Sequence, residues 1–281
     1  MSGKEPQMSI FEIISRWISG GEASGNTGQA DTGDSWLSKV DPRFLPPPEG
    51  FDYGDDGSGS TDSGSSGDAG IGADIEEGIP RRLPPLAMLV IADLHACTYR
   101  TLSELQDIMK TEAYDCVLFL GDIFQEDIER LVPHADGRPC FYVLGNHDRE
   151  GQNTGIEGLE DLDGRTAEVC GVRISGASGS VRYKPGDFCM RSEDEVQEAL
   201  DRTGRTDILI SHEAPWHFLE ADSTHRGYKA ITRFIEREEP AMHIFGHYHT
   251  REDRIRGNTR EICVYRCCLI STMPYSNRGI L

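Results

Sequence analysis

Five apolar runs in this 281-residue chain end in the same way. Residues 89–92 lead into Asp93-Leu94-His95, residues 117–120 into Gly121-Asp122, and residues 142–144 into Gly145-Asn146-His147-Asp148. Further along, residues 208–210 lead into Ser211-His212-Glu213, and residues 244–245 into Gly246-His247-Tyr248-His249. Short Val/Ile/Leu/Phe runs of this kind read as strands buried on both faces. Carboxylates and imidazoles at their ends are costly to bury unless something pairs with them.

Helical stretches separate the runs. "TLSELQDIMK" and "FQEDIERLV" follow the first two strands. "SEDEVQEALDR" carries a capping box, Ser192 with Glu195, and "YKAITRFIERE" precedes the last tip. "AEVCGVRISGAS" reads as a hairpin, and Gly257-Asn258 as the turn of another. Strands alternating with helices define an α/β domain. In open α/β sheets ligands gather outside the carboxyl ends of the strands, so the five tips are expected to meet. They deliver Asp, Asn and His without a thiolate, a donor set suited to a first-row transition metal.

Taken singly, a "DLH", a "GD" or a "GHYH" is more often a turn or a cap. All five in order, each at a strand end and spaced by what a βα unit needs, are not explained by chance. The series "DLH", "GD", "GNHD", "SHEAP", "GHYH" resembles the calcineurin-like metallophosphoesterases, over about residues 84–272. The resemblance implies a four-layer sandwich, two packed mixed β-sheets flanked by helices. It also implies two divalent metal ions (Mn²⁺ favoured; Fe²⁺, Zn²⁺ or Ni²⁺ alternatives). Asp93, His95 and His249 would hold the first. Asp122 would bridge both. Asn146, His212 and His247 would hold the second, and His147 would contact the substrate phosphate or protonate the leaving oxygen. The implied reaction is in-line hydrolysis of a phosphodiester or phosphomonoester by a hydroxide shared between the metals.

Departures from the family pattern narrow the branch. Protein phosphatases carry "GDxxDRG", whereas this chain reads "GDIFQED", with Gln125 at the second acidic position. What orients His147 is left to Asp148 or Asp127. Ala96 replaces a usual glycine, and Cys97 beside it reads as a packed thiol rather than a ligand. "SGASGSVRY" and "HRGYKA" resemble small prokaryotic members near the class III cyclic nucleotide phosphodiesterases. Arg182, His225 and Arg226 are therefore candidates to reach substrate, and His217 to line the mouth. His134 and His243 read as structural. A small diester, a nucleotide or cyclic nucleotide included, is the favoured substrate on likeness alone.

Charge bears on the competing readings. With 28 basic and 48 acidic residues the formal net charge is −20, of which −11 falls within residues 20–78. The remainder is still acidic, which disfavours nucleic acid as partner. A nuclease is further disfavoured because no specificity domain is expected after the last strand. A silent scaffold of the same fold is the main alternative, and the complete ligand set argues against it. Eight cysteines without a CxxC pair and no secretory signal fit a reduced, cytoplasmic setting, and no run is long enough to span a membrane.

Three regions are expected: a short amphipathic helix within residues 1–19, an acidic disordered Gly/Ser/Asp-rich linker over 20–79, and the phosphoesterase domain over 80–281. Residues 8–19 are expected to form the helix and to dock on their own domain, with a partner or a membrane surface as the alternative. Trp36, Phe44, Leu45 and Phe51 make an aromatic patch around a proline run in the linker.

Overall fold

The computed structural model describes residues 78–95, 97–182, 188–216, 218 and 226–273. The helix of residues 8–19, the aromatic patch, His217 and His225 lie outside them, as does the linker apart from Gly78 and Ile79.

Two sheets of mixed direction form the centre. The first contains β1 (Ala87–Ala92), β2 (Cys116–Phe119), β3 (Cys140–Tyr142), β4 (Leu159–Asp161) and β13 (Arg266–Ser271), in the order β13-β1-β2-β3-β4. β1 to β4 run parallel, and β13 pairs antiparallel with β1. The second contains β5 (Thr166–Val169), β6 (Val172–Ala177), β9 (Ile208–Ser211), β10 (Met242–Phe245), β11 (Glu252–Arg256) and β12 (Thr259–Cys263). Its order is β11-β12-β10-β9-β6-β5. Both expected hairpins are present: β5 pairs antiparallel with β6, and β11 with β12 across Gly257-Asn258. A short pair, β7 (Ser180–Val181) and β8 (Met190–Arg191), stands apart.

Alternation of side chains along the strands builds the layers. Met88 and Val90 of β1, Leu118 of β2 and Phe141 of β3 share one buried cluster with Ile174, Ile208, Ile210 and Ile244 of the second sheet. The sheets therefore pack face to face. Leu89, Ile91, Val117 and Phe119 point the other way and are equally buried, so that face needs a cover. The crossovers α1 (Tyr99–Thr111) and α2 (Gln125–Leu131, continued by a 3-10 turn at Val132–Ala135) supply it. Thr98 caps α1 by accepting from the Thr101 N–H at 3.2 Å. On the second sheet α3 (Glu193–Thr203) and α4 (Lys229–Glu238) pack Val196, Leu200, Ile231 and Phe234 against Leu209 and Ala177. The Ser192–Glu195 capping box of α3 is complete.

Four strands were not anticipated: β4, β13 and the two-residue pair β7 and β8. β4 is three residues with no fully buried position, too short to carry a period. β13 alternates weakly because it lies at the edge of its sheet. Among the described residues, no helix is long and apolar enough to cross a membrane. All eight cysteines are free thiols.

Candidate metal centre at the strand tips

The tips of β1, β2 and β3 meet those of β9 and β10 at one end of the sandwich. Backbone hydrogen bonds lace them within each sheet: Asp93 N donates to Gly121 O at 3.1 Å, His95 N to Asp122 O at 2.9 Å, and Gly246 N to His212 O at 3.1 Å. Others cross between sheets. His247 N donates to the Asp93 carboxylate (3.0 Å to Oδ2), His212 Nδ1 faces Leu120 O at 2.8 Å, and Gly179 N donates to Leu144 O at 2.6 Å.

Glycines make the approach close enough. A Cβ on Gly145 would overlap Asp122 Oδ1 and stand 2.7 Å from His212 Cε1. Gly121, at a φ of +89°, has the Gly145 Cα 2.7 Å from where its own Cβ would be. The "GD" and "GN" pairs are thus glycine for space.

Three donor groups lie within 4.8 Å: Asp93, His95 and His249; Asp93, Asp122 and His212; and His95, Asp122 and His147. The first is the trio expected at the first metal. His95 Nε2 and His249 Nε2 are 3.0 Å apart, and His249 Nε2 is 3.7 Å from Asp93 Oδ1. On the other side His212 Nε2 is 3.0 Å from Asn146 Oδ1 and 3.5 Å from Asp122 Oδ2. His247 packs its ring 4.9 Å from that of His212. With Nδ1 spent on the Leu120 carbonyl, His212 turns Nε2 into the site.

Burial governs the charge states. It lowers the pKa of His95 to about 3, helped by His249 and His147, and that of His212 to about 3 as well, so both rings are neutral, the form that binds metal. Burial also drives Asp93 well above the usual carboxylate range; the His247 N–H opposes this, while Asp148 and Glu213 add to it. Gathered carboxylates and neutral imidazoles are a donor set that a dication relieves, so these residues fit divalent metal.

Five of the seven expected ligands have left-handed backbone: Asp93, His95, Asp122, His247 and His249, with φ between +46° and +72°. Asp and His are among the residues that tolerate this best, and such conformations collect at functional sites.

His147 is anchored through Asp122: its N–H donates to Oδ1 at 2.8 Å, and Nε2 lies 4.0 Å from Oδ2. The two acids expected to orient it are engaged elsewhere. Asp148 accepts from the N–H groups of Asp122 and Gly145 and from Gln152, and Asp127 pairs with Arg130. Arg182 donates to Met190 O and Glu195 rather than into the site, and Arg226 is exposed. Cys97 donates to Thr98 O, and burial pushes its thiol up to about 12, as befits a packed thiol. His243 is fully buried, with Nε2 2.7 Å from Ser211 Oγ. Glu213, given no role from sequence, is wholly buried with Oε2 3.5 Å from His247 Nε2. Its only signal was an acid directly after His212 at a strand end.

The chain belongs to the calcineurin-like phosphoesterases, whose family model matches residues 86–251. One solved structure is 14% identical, with a TM-score of 0.54, over 67% of this chain and 95% of its own. TT1561 of Thermus thermophilus is 10% identical, with a TM-score of 0.52, over 67% of this chain and 98% of its own. These likenesses show the fold. Phosphopantetheinyl hydrolase from Mycobacterium tuberculosis is 12% identical, with a TM-score of 0.46, over 64% of this chain and 89% of its own. No curated protein matches the chain.

Proposed function

We propose that this protein is a dinuclear metal-dependent phosphoesterase. The observation that carries this reading is the overlap of the donor groups: Asp93-His95-His249 and Asp93-Asp122-His212 share Asp93, and within each the donor atoms lie within 4.8 Å of one another. Asp93, His95, Asp122 and His249 would hold one divalent ion, and Asp122, Asn146, His212 and His247 the other, with Mn²⁺ favoured. Two such ions supply Lewis acidity toward a phosphoryl oxygen and bring the pKa of water toward neutrality.

The residues divide the remaining work. Asp122 faces both groups and neutralises charge where it is densest. Asn146 contributes an oxygen without a charge, which leaves the site electropositive toward a phosphate. The Leu120 carbonyl and Glu213 set the ring orientations of His212 and His247. His147 is one-quarter exposed beside Asp122, where it contacts the phosphate or gives its proton to the leaving oxygen. A small phosphodiester, cyclic nucleotides included, is the favoured substrate, with a monoester as the alternative.

The test is turnover of bis-p-nitrophenyl phosphate and of p-nitrophenyl phosphate by the full chain, with Mn²⁺ and with chelator. Metal-dependent hydrolysis of either is expected, faster for the diester. A folded, Mn²⁺-treated protein that turns over neither would be a scaffold that keeps the fold without the chemistry.

A further inference from the structure

The two metal positions of the proposed centre are not held alike. At the second, the side chains of His212 and His247 are 0% and 7% exposed. At the first, that of His249 is 50% exposed, on a backbone with a φ of +50°. A half-exposed imidazole has rotamer freedom that chelation must remove. Affinity at the first position therefore depends on what orients this ring before a metal arrives.

The first position also draws on both sheets. Asp93 and His95 follow β1, whereas His249 follows β10. A short crossing joins the sheets at this end of the molecule. β12 runs beside β10 as far as Cys263, opposite Phe245, and Val264 N donates to Phe245 O at 2.7 Å. Two residues later β13 opens with Arg266 opposite Ala92, the residue before Asp93. The chain thus passes from the tip that carries His249 to the tip that carries Asp93 through Val264 and Tyr265.

This crossing is tied to His249 twice. The Tyr265 ring lies against the His249 ring, with centroids 5.1 Å apart and planes 34° from parallel. Arg251, two residues past His249, donates through Nη2 to the carbonyls of Tyr265 at 3.1 Å and Cys267 at 2.8 Å. The path closes on itself: His249 leads to Arg251, Arg251 fixes the main chain of Tyr265, and the Tyr265 ring returns to His249. Tyr265 is partly exposed, so the ring contact is not a by-product of core packing.

We propose that Tyr265 is a positioning residue for His249, and that the Arg251–Tyr265 brace sets the affinity of the first metal position independently of the second. The proposal rests on the dinuclear reading above and adds a form of regulation to it. The braced position is the weaker of the two, so it is the one that empties when metal is scarce. A flat ring alongside the imidazole restricts its rotation and so reduces the ordering that chelation must impose.

The test is calorimetric titration of the full-length, metal-free protein with Mn²⁺. Wild type is expected to bind in two steps, and His249→Ala to lose the weaker one, which assigns it. Tyr265→Leu keeps bulk in the turn and removes the flat face. It is expected to weaken that same step about 10-fold, the low end of what an outer partner of a metal ligand is worth, and to leave the tighter step within about twofold. Tyr265→Phe should titrate as wild type, because the ring is what acts. Arg251→Gln, which releases the turn, should weaken the same step as Tyr265→Leu. An unchanged weaker step in Tyr265→Leu, an equal loss in both steps, or a Tyr265→Phe variant as weak as Tyr265→Leu overturns the proposal and leaves the enzyme reading intact. Loss of the tighter step in His249→Ala does the same. The expected titrations without turnover of either nitrophenyl ester overturn the enzyme reading and leave the brace standing. A wild-type titration with no step that His249→Ala removes overturns the dinuclear reading and this proposal together.

Discussion

Asp148 Oδ2 accepts the backbone N–H of Asp122 at 2.8 Å, so the acid that ends one strand tip sets the backbone of the acid that ends another. The same oxygen takes the Gly145 N–H at 2.8 Å. Burial raises the Asp148 pKa from 3.8 to about 6 against these hydrogen bonds. A folded value above the unfolded one means that the group stabilises the fold most below about pH 4, and that this contribution is lost as pH rises through about 6. Asp148→Asn keeps an acceptor and removes the charge. The metal-free variant is therefore expected to gain on the order of 2 kcal/mol over wild type at pH 7.5 and nothing at pH 4. Urea denaturation at the two pH values checks this; a gain of equal size at both would show that ionisation of Asp148 is not the cause.

Asp122 and His147 touch each other yet should fail differently. Asp122→Asn is expected to lose bound metal and turnover together. His147→Ala should keep its metal content and lose about 10²–10⁴ in kcat. Metal analysis beside steady-state kinetics separates the two. An unchanged rate in His147→Ala would remove that residue from the chemistry.

Gly145→Ala tests whether space at the tip matters as much as the ligands themselves. The new methyl would collide with the Asp122 carboxylate and crowd His212. A displacement of about 1 Å at a reacting centre costs on the order of 10²-fold in rate. Calorimetric titration with Mn²⁺ should show weakened binding in a protein that still melts cooperatively. Tight binding at the wild-type level would mean that the tip relaxes freely.

Away from the site, Asp207 receives Arg173 through N at 2.8 Å and Nε at 3.1 Å, and Arg81 through Nη1 at 2.6 Å. Burial pushes its pKa up, but the two arginines outweigh it and hold the pKa at about 2. The sign is opposite to that of Asp148. Its contribution is present above about pH 4 and lost as pH falls through about 2. Asp207→Ala is expected to destabilise the domain by about 1–2 kcal/mol at pH 7, since two arginines, each about one-third exposed, lose their shared carboxylate. Thermal or urea unfolding measures it, and a loss below 0.5 kcal/mol, roughly the range of an exposed pair, would refute the claim.

The sequence was most readable where burial and function coincide. Apolar runs such as that of residues 88–92 are core strands, and the polar residues that end them converge. Both hairpins and the α3 capping box followed from local chemistry that tertiary packing did not override. β13 escaped notice because an edge strand is under half the constraint of a central one. Asp148 and Glu213 were visible as letters but not as parts. Their roles depend on which backbone N–H or ring nitrogen lies opposite, and no spacing along the chain encodes that. Arg182 shows the converse: its neighbours suggested substrate, yet Met190 and Glu195 claim it.

The hydrogen bonds that cross from His247 to Asp93, from His212 to Leu120 and from Gly179 to Leu144 give the sandwich a mechanical property. They stitch its two halves at the end that carries the centre. Chelation there would act as a rivet through both sheets, so that sliding one over the other by a single residue, about 3.3 Å, would dismantle the centre. Tightness of metal binding then becomes a gauge of how faithfully the apolar seam between the halves is aligned, even for substitutions far from any ligand.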